Sequence, residues 1–157
     1  MLKILMPIKI AVDLCQKNTS KLTDCVLIWK CLREELFSTN LLTSKERDSF
    51  TDRYNYCITR VHSAAFLLSP KMLLQKIALP QEEIENALQY YKNFTHKFML
   101  TFYKFRGGIA LFELNKSELK ADAIESMTDS EWWISFRSVH MDVVTNEDLE
   151  NTCQLTK

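Results

Sequence analysis

The sequence predicts an all-α chain folded as a single domain of about six helices, and three observations carry that expectation. The 157 residues hold two glycines and three prolines, too few for the frequent turns of a many-stranded β protein. Apolar residues recur three and four positions apart over most of the length, the period of a helix with one buried face. A helix-start signature stands at Thr43-Ser44-Lys45-Glu46. There a threonine hydroxyl and a glutamate three residues on each satisfy an orphan amide of the first turn.

Taken in order, Leu2 to Gln16 places Leu5, Ile8, Val12 and Cys15 on one stripe, with Pro7 near the start, where a missing amide is tolerated. Thr19 or Ser20 is positioned to cap a second helix through Phe37, with Leu22, Val26, Trp29, Leu32 and Leu36 on one face. A third helix over 43–68 carries Phe50, Tyr54, Ile58, Val61 and Ala65 and stops at Ser69-Pro70, because proline disfavours helix in the residue before it. A short apolar connector, Met72 to Leu79, leads to Pro80.

Pro80 opens a long fourth helix over 80–105, striped by Ile84, Leu88, Tyr91, Phe94 or Thr95, Phe98 and Phe102 and closed by Gly107-Gly108. The run at 109–114 reads as a short extended piece or a further turn. Ser117 to Met127 reads as a short helix. Asp129 or Ser130 caps the last one, which bears Trp132, Trp133, Phe136 and Val139. The helical region spans 1–140, and 141–157 reads as a polar, acidic, disordered tail. The expected core is Val26, Trp29, Phe50, Tyr54, Ile58, Ala65, Leu68, Leu88, Tyr91, Phe98, Phe102 and Trp132.

Several function classes find little support in the residues. Twenty basic residues balance twenty acidic ones, so the basic excess of a free-standing nucleic-acid binder is missing. No stretch approaches the roughly 18 apolar residues of a membrane span. Five cysteines without a CxxC pair read as reduced thiols of an intracellular protein. Cys57 and His62 stand five apart, on opposite sides of one helix, and His96 and His140 have no ligand partner at helical spacing. No phosphate-binding fingerprint surrounds the single glycine pair. Acid pairs such as Glu34-Glu35 and Glu82-Glu83 read as solvated faces. No small-molecule substrate is evident.

Two features stay open at this level. The stretch from Tyr90 to Arg106 interleaves Lys92, His96, Lys97, Lys104 and Arg106 with aromatic residues. This suits contact with a nucleic-acid backbone and stacking on bases. It equally suits a helix with an aromatic core face and solvated lysines. Trp132 and Trp133 are adjacent, so on a helix their rings point about 100° apart. One then anchors the core while the other faces a neighbouring element or partner.

In order along the chain come Leu5-Met6-Pro7-Ile8 with Ala11, then the segment from Leu42 to Phe50, His62 to Lys71 (HSAAFLLSPK), Tyr103 to Phe112 (YKFRGGIALF) and Asp129 to Trp133 (DSEWW). This order resembles the hAT superfamily of transposases, in the part that interrupts and rejoins their RNase H-like catalytic domain. The motif residues of the resemblance are His62, Ala65, Leu68, Pro70, Trp132 and Trp133, similar to the family's HxAAxLLDPR and WW patterns. Ser69 stands where the family usually has aspartate, Lys71 where it has arginine, and Ser130 where it has proline before the tryptophans.

The resemblance implies a helical insertion packed on a catalytic core, nuclear localisation, and partners among DNA and transposase-like proteins. The family's chemistry uses three acids that hold divalent metal. No acid of this sequence matches a catalytic position. The serine-rich segment that carries the third acid and the zinc-binding BED-type module are not found in it. The expectation is therefore a catalytically incomplete transposase-like fragment, not an enzyme, without cofactor, with weak DNA contact through Lys92, Lys97, Lys104 and Arg106. The alternative is a host helical module for protein–protein interaction.

Overall fold

The computed structural model describes residues 2–17, 20–39, 42–107, 118–139 and 144–156. All regular structure among them is helical: ten α-helices and one 3-10 turn. They are α1 Leu2–Cys15, α2 Leu22–Ser38, α3 Ser44–Cys57, α4 Arg60–Leu68, α5 Pro70–Leu74 and α6 Gln81–Tyr90. The 3-10 turn Tyr91–Asn93 follows, then α7 His96–Arg106, α8 Glu118–Ser126, α9 Asp129–Val139 and α10 Asn146–Leu155. None is long and apolar enough to cross a membrane. The run at 109–114, Gly108, Thr19 and His140 lie outside the described residues.

The all-α expectation holds, and the helix count does not. Hydroxyl residues inside apolar-periodic runs act as caps and cut those runs apart. The 43–68 helix breaks at Ile58-Thr59. There the Thr59 amide donates to His62 Nδ1 at 3.3 Å and the Thr59 hydroxyl lies 2.9 Å from the same nitrogen. A histidine thus plays the part usually given to glutamate or glutamine in a capping box. The 80–105 helix breaks at Phe94-Thr95, where the Thr95 hydroxyl accepts from Phe98 N–H at 3.1 Å. The Thr43–Glu46 box forms as the sequence predicts, with the Thr43 amide donating to Glu46 at 2.8 Å.

Smaller boundaries also move. Lys21, not Thr19 or Ser20, precedes α2, and its amide donates to Asp24 at 3.3 Å. Thr128, not Asp129 or Ser130, caps α9, and its hydroxyl accepts from Glu131 N–H at 3.2 Å. Pro7 falls inside α1, which removes one helical hydrogen bond there. The stop at Ser69-Pro70 holds, since α4 ends at Leu68, and Pro70 also opens α5, which Ser69 caps by accepting from Met72 N–H at 3.4 Å. α5 closes on Lys76 in the left-handed region, φ 54°. The Ile77 and Lys76 amides return to the Met72 and Leu73 carbonyls at 3.2 and 3.1 Å, a Schellman closure.

α4 is the centre of the molecule. Ser63 to Leu68 are all buried, so α4 is enclosed on every side, as an apolar helix must be. It packs against α2, α6 and α10. Around it the expected core residues Val26, Trp29, Phe50, Tyr54, Ile58, Ala65, Leu68, Tyr91, Phe98 and Phe102 are buried. Leu88 and Trp132 are only partly covered and pack on the core edge. Trp133 takes the interior place expected of Trp132, with no exposure.

The expected disordered tail is corrected most. Within 141–157, α10 is a packed helix against α9 and α4. Val144, Asp148 and Thr152 have no exposure, and Leu155 is buried. Composition misled because Asp148 is polar yet internal. It accepts from the Thr95 amide (3.3 Å) and hydroxyl (2.7 Å) and from the Thr145 hydroxyl (2.6 Å). One carboxylate joins the N-termini of α7 and α10, where the helix dipoles favour negative charge. Asp148→Ala is expected to destabilise the chain by about 2–4 kcal/mol, through the lost tie between two helix N-termini and a stranded Thr95 amide. Urea unfolding followed by helical circular dichroism measures it, and loss confined to a few residues of α10 would contradict the clamp.

Candidate functional site

The two segments most specific to the family pattern, 62–71 and 129–133, meet at the C-terminal end of α4. A helix end leaves carbonyls without amide partners, and at Leu68 the amide four residues on, that of Met72, goes to the Ser69 hydroxyl instead. The Trp133 indole donates to the Leu68 carbonyl at 2.9 Å. The fully buried Tyr91 hydroxyl donates to the Ala64 carbonyl one turn earlier, and burial raises the phenol well above its ordinary pKa. Lys71 reaches the Glu125 carbonyl near the end of α8 at 3.2 Å. Both tryptophan rings sit in an aromatic cluster. Trp133 lies 5.1 Å from Phe105 and 6.5 Å from Phe98, and Trp132 stacks on Phe136 at 5.3 Å with 13° between planes.

Asp129 lies beside this junction, 4% exposed. Burial raises its carboxyl pKa above the ordinary range, opposed by a hydrogen bond from Ser69 and by the charges of Lys21 and Lys71. One of its oxygens is buried with no hydrogen-bond partner.

The motif residues therefore have structural roles. His62 caps α4, and burial lowers its pKa. Ala65, Leu68 and Pro70 are interior. Trp133 plugs the end of α4, and Trp132 covers Phe105 and Phe136. Cys57 and His62 fall on different helices. Among the described residues no group of three or more His, Cys, Asp or Glu side chains is arranged to hold a metal ion.

The basic stretch divides. Phe98, Thr101, Phe102 and Phe105 of α7 face the core. His96, Lys97, Leu100, Tyr103 and Lys104 face solvent, with Leu100 and Tyr103 about half exposed at 51% and 54%. Lys92 is exposed on the 3-10 turn. Arg106 turns inward instead: burial lowers its pKa, the hydroxyl of Tyr91 is its main electrostatic neighbour, and its Nη1 is buried without a hydrogen-bond partner. That places Arg106 apart from the surface lysines.

No family model, curated protein or solved structure matches the chain.

A second group of residues has no counterpart in the sequence reading. Arg33 of α2, Tyr54 of α3 and Glu83 of α6 converge on one polar cavity. Their separation along the chain hides them, and Glu83 reads in sequence as half of a solvated acid pair. The single available signal was Tyr54, a buried stripe residue whose hydroxyl requires a partner.

Two outcomes follow for the α4–α9 junction. Trp133→Phe is expected to cost about 1–3 kcal/mol by stranding the Leu68 carbonyl, whereas Trp132→Phe costs less than about 1.5 kcal/mol as a change at a partly covered ring. Equal losses in denaturant titrations would contradict the assigned bond. The folded-state pKa of Asp129 lies above its unfolded value, so its contribution is fully present below the unfolded pKa and is lost as pH rises through the folded one. Asp129→Asn keeps an acceptor for Ser69 and is expected to flatten the fall of Tm from about pH 4 upward. A pH series of thermal melts reads this directly, and an unchanged slope would refute it.

Proposed function

We propose that this chain is a transposon-derived, hAT transposase-like helical region that carries no phosphodiester chemistry of its own and acts in the nucleus by weak nucleic-acid contact and by association with transposase-like proteins. The observation that supports this most is the junction of 62–71 with 129–133. Two segments some 60 residues apart, singled out by family pattern alone, meet through the Trp133–Leu68 hydrogen bond. In this reading the WW pair is kept for architecture and not for contact with substrate.

The nucleic-acid contact is assigned to the solvent face of α7. Lys97 and Lys104 there supply phosphate neutralisation, and the exposed Tyr103 ring offers a stacking surface between them. Arg106 is not part of that face. The net charge of zero keeps the affinity low and salt-dependent.

A second reading, a host protein-interaction module, draws on α1. Its inner face packs on α2, while Leu5, Met6 and Ile10 are each more than half exposed and Leu14 is 36% exposed. An apolar patch of that kind marks a protein contact more often than a bare surface. Trp133 does not belong to such a contact, since it is internal.

Fluorescence anisotropy with a short oligonucleotide separates the readings. Binding at low salt is expected, with a log K against log salt slope that falls by about one unit per lysine in the Lys97→Ala/Lys104→Ala pair. Tight, salt-insensitive binding or metal-dependent nicking would sink the transposase-remnant proposal, and no binding at any salt would leave the interaction-module reading in its place.

A further inference from the structure

We infer that the cavity between α2, α3, α4 and α6 is a binding site for a small zwitterion, an ammonium and a carboxylate joined by a short apolar linker. The cavity is about 280 Å³, just under the roughly 300–1,000 Å³ typical of drug-sized sites. Its walls hold opposite charges that do not meet. On one side is Glu83, whose Oε1 accepts from the Tyr54 hydroxyl at 2.7 Å. On the other is Arg33, whose guanidinium rests on the rings of Phe37 and Tyr54, 5.6 and 5.5 Å from their centroids. Among the described residues the one ion pair is Lys30–Glu34, so Arg33 and Glu83 share the cavity without closing on each other.

Each charge fixes one end of the ligand. Glu83 lines the cavity with a carboxylate whose one hydrogen bond comes from Tyr54, and an ammonium adds a charge-assisted bond to it. A planar guanidinium held on aromatic faces presents its edge donors to an anionic oxygen, the bidentate geometry arginine favours with carboxylates. A lone cation is repelled by Arg33, and a lone anion by Glu83. A zwitterion satisfies both. Asn55, Asn86 and Ser63 complete a polar wall, and Ile58 and Pro80 give the linker an apolar one.

The charge of Glu83 makes the site pH-sensitive. Burial raises its pKa, Glu82 adds to the rise, and the Tyr54 hydrogen bond, Arg33 and Lys30 oppose it. Affinity therefore increases as pH rises and Glu83 ionises. The site is independent of the α7 face, so either can fail without the other.

The test is an NMR titration of the full chain with glycine, β-alanine and γ-aminobutyrate, read at the side-chain amides of Asn55 and Asn86, with acetate and methylammonium as half-ligands. At least one zwitterion is expected to saturate with Kd on the order of 1 mM or tighter, and each half-ligand to bind about tenfold more weakly. Glu83→Gln and Arg33→Met each lower that affinity about tenfold, and Glu147→Gln on the exposed face of α10 leaves it unchanged. The wild-type titration stands even if a variant fails to fold. No saturable shift with any zwitterion, or half-ligands equal to them, overturns the proposal. Wild-type affinity in folded Glu83→Gln does the same.

Discussion

The structure depends on how the backbone of one buried helix is satisfied. α4 is enclosed by α2, α6 and α10, so water is absent where its C-terminal carbonyls need partners. An unmet carbonyl in such a place costs about 1–3 kcal/mol; Trp133 meets the demand at Leu68, and Tyr91 adds a bond to the Ala64 carbonyl one turn earlier. Each brings its own helix with it. The donor of Tyr91 sets where α6 ends against α4, and the donor of Trp133 sets how α9 lies across its end. The apolar cluster of Phe98, Phe105 and Phe136 then packs around a frame that hydrogen bonds have already positioned.

A second constraint works at the opposite ends of the helices. Thr43, Thr59, Ser69, Thr95, Thr128 and Thr145 each place a hydroxyl at a helix start. With so little glycine in the chain, hydroxyl caps take over the work of punctuation. They turn long apolar-periodic runs into short helices that fold back around α4, and they allow ten helices to enclose a core that straight helices of 25 residues would leave open. Asp148 extends the same device from one helix to two, accepting from the capping threonines of both α7 and α10.

Two of the buried charges serve different ends. Around α4 the burial of Asp129 is offset by Ser69 and by the charges of Lys21 and Lys71. Between α2, α3 and α6 the Glu83 carboxylate and the Arg33 guanidinium line one cavity without forming an ion pair. The first pattern is architecture. The second is the kind of unfilled polar site from which ligand recognition arises.

The sequence by itself determined the helical class, the Thr43 capping box, and most of the core from Val26 to Phe102, because these follow from local spacing and local hydrogen bonding. It also singled out the two segments that meet at the end of α4, through their resemblance to a family pattern. Tertiary structure decided the rest. Whether Thr59 and Thr95 interrupt their helices depends on enclosing α4 and on Asp148, 53 residues from Thr95. Which tryptophan is internal depends on the Leu68 carbonyl, and whether 141–157 is a tail depends on what its acids touch. Partners that far apart leave no local trace, so the polar cavity at Arg33 and Glu83 exists only once α2, α3 and α6 are brought together.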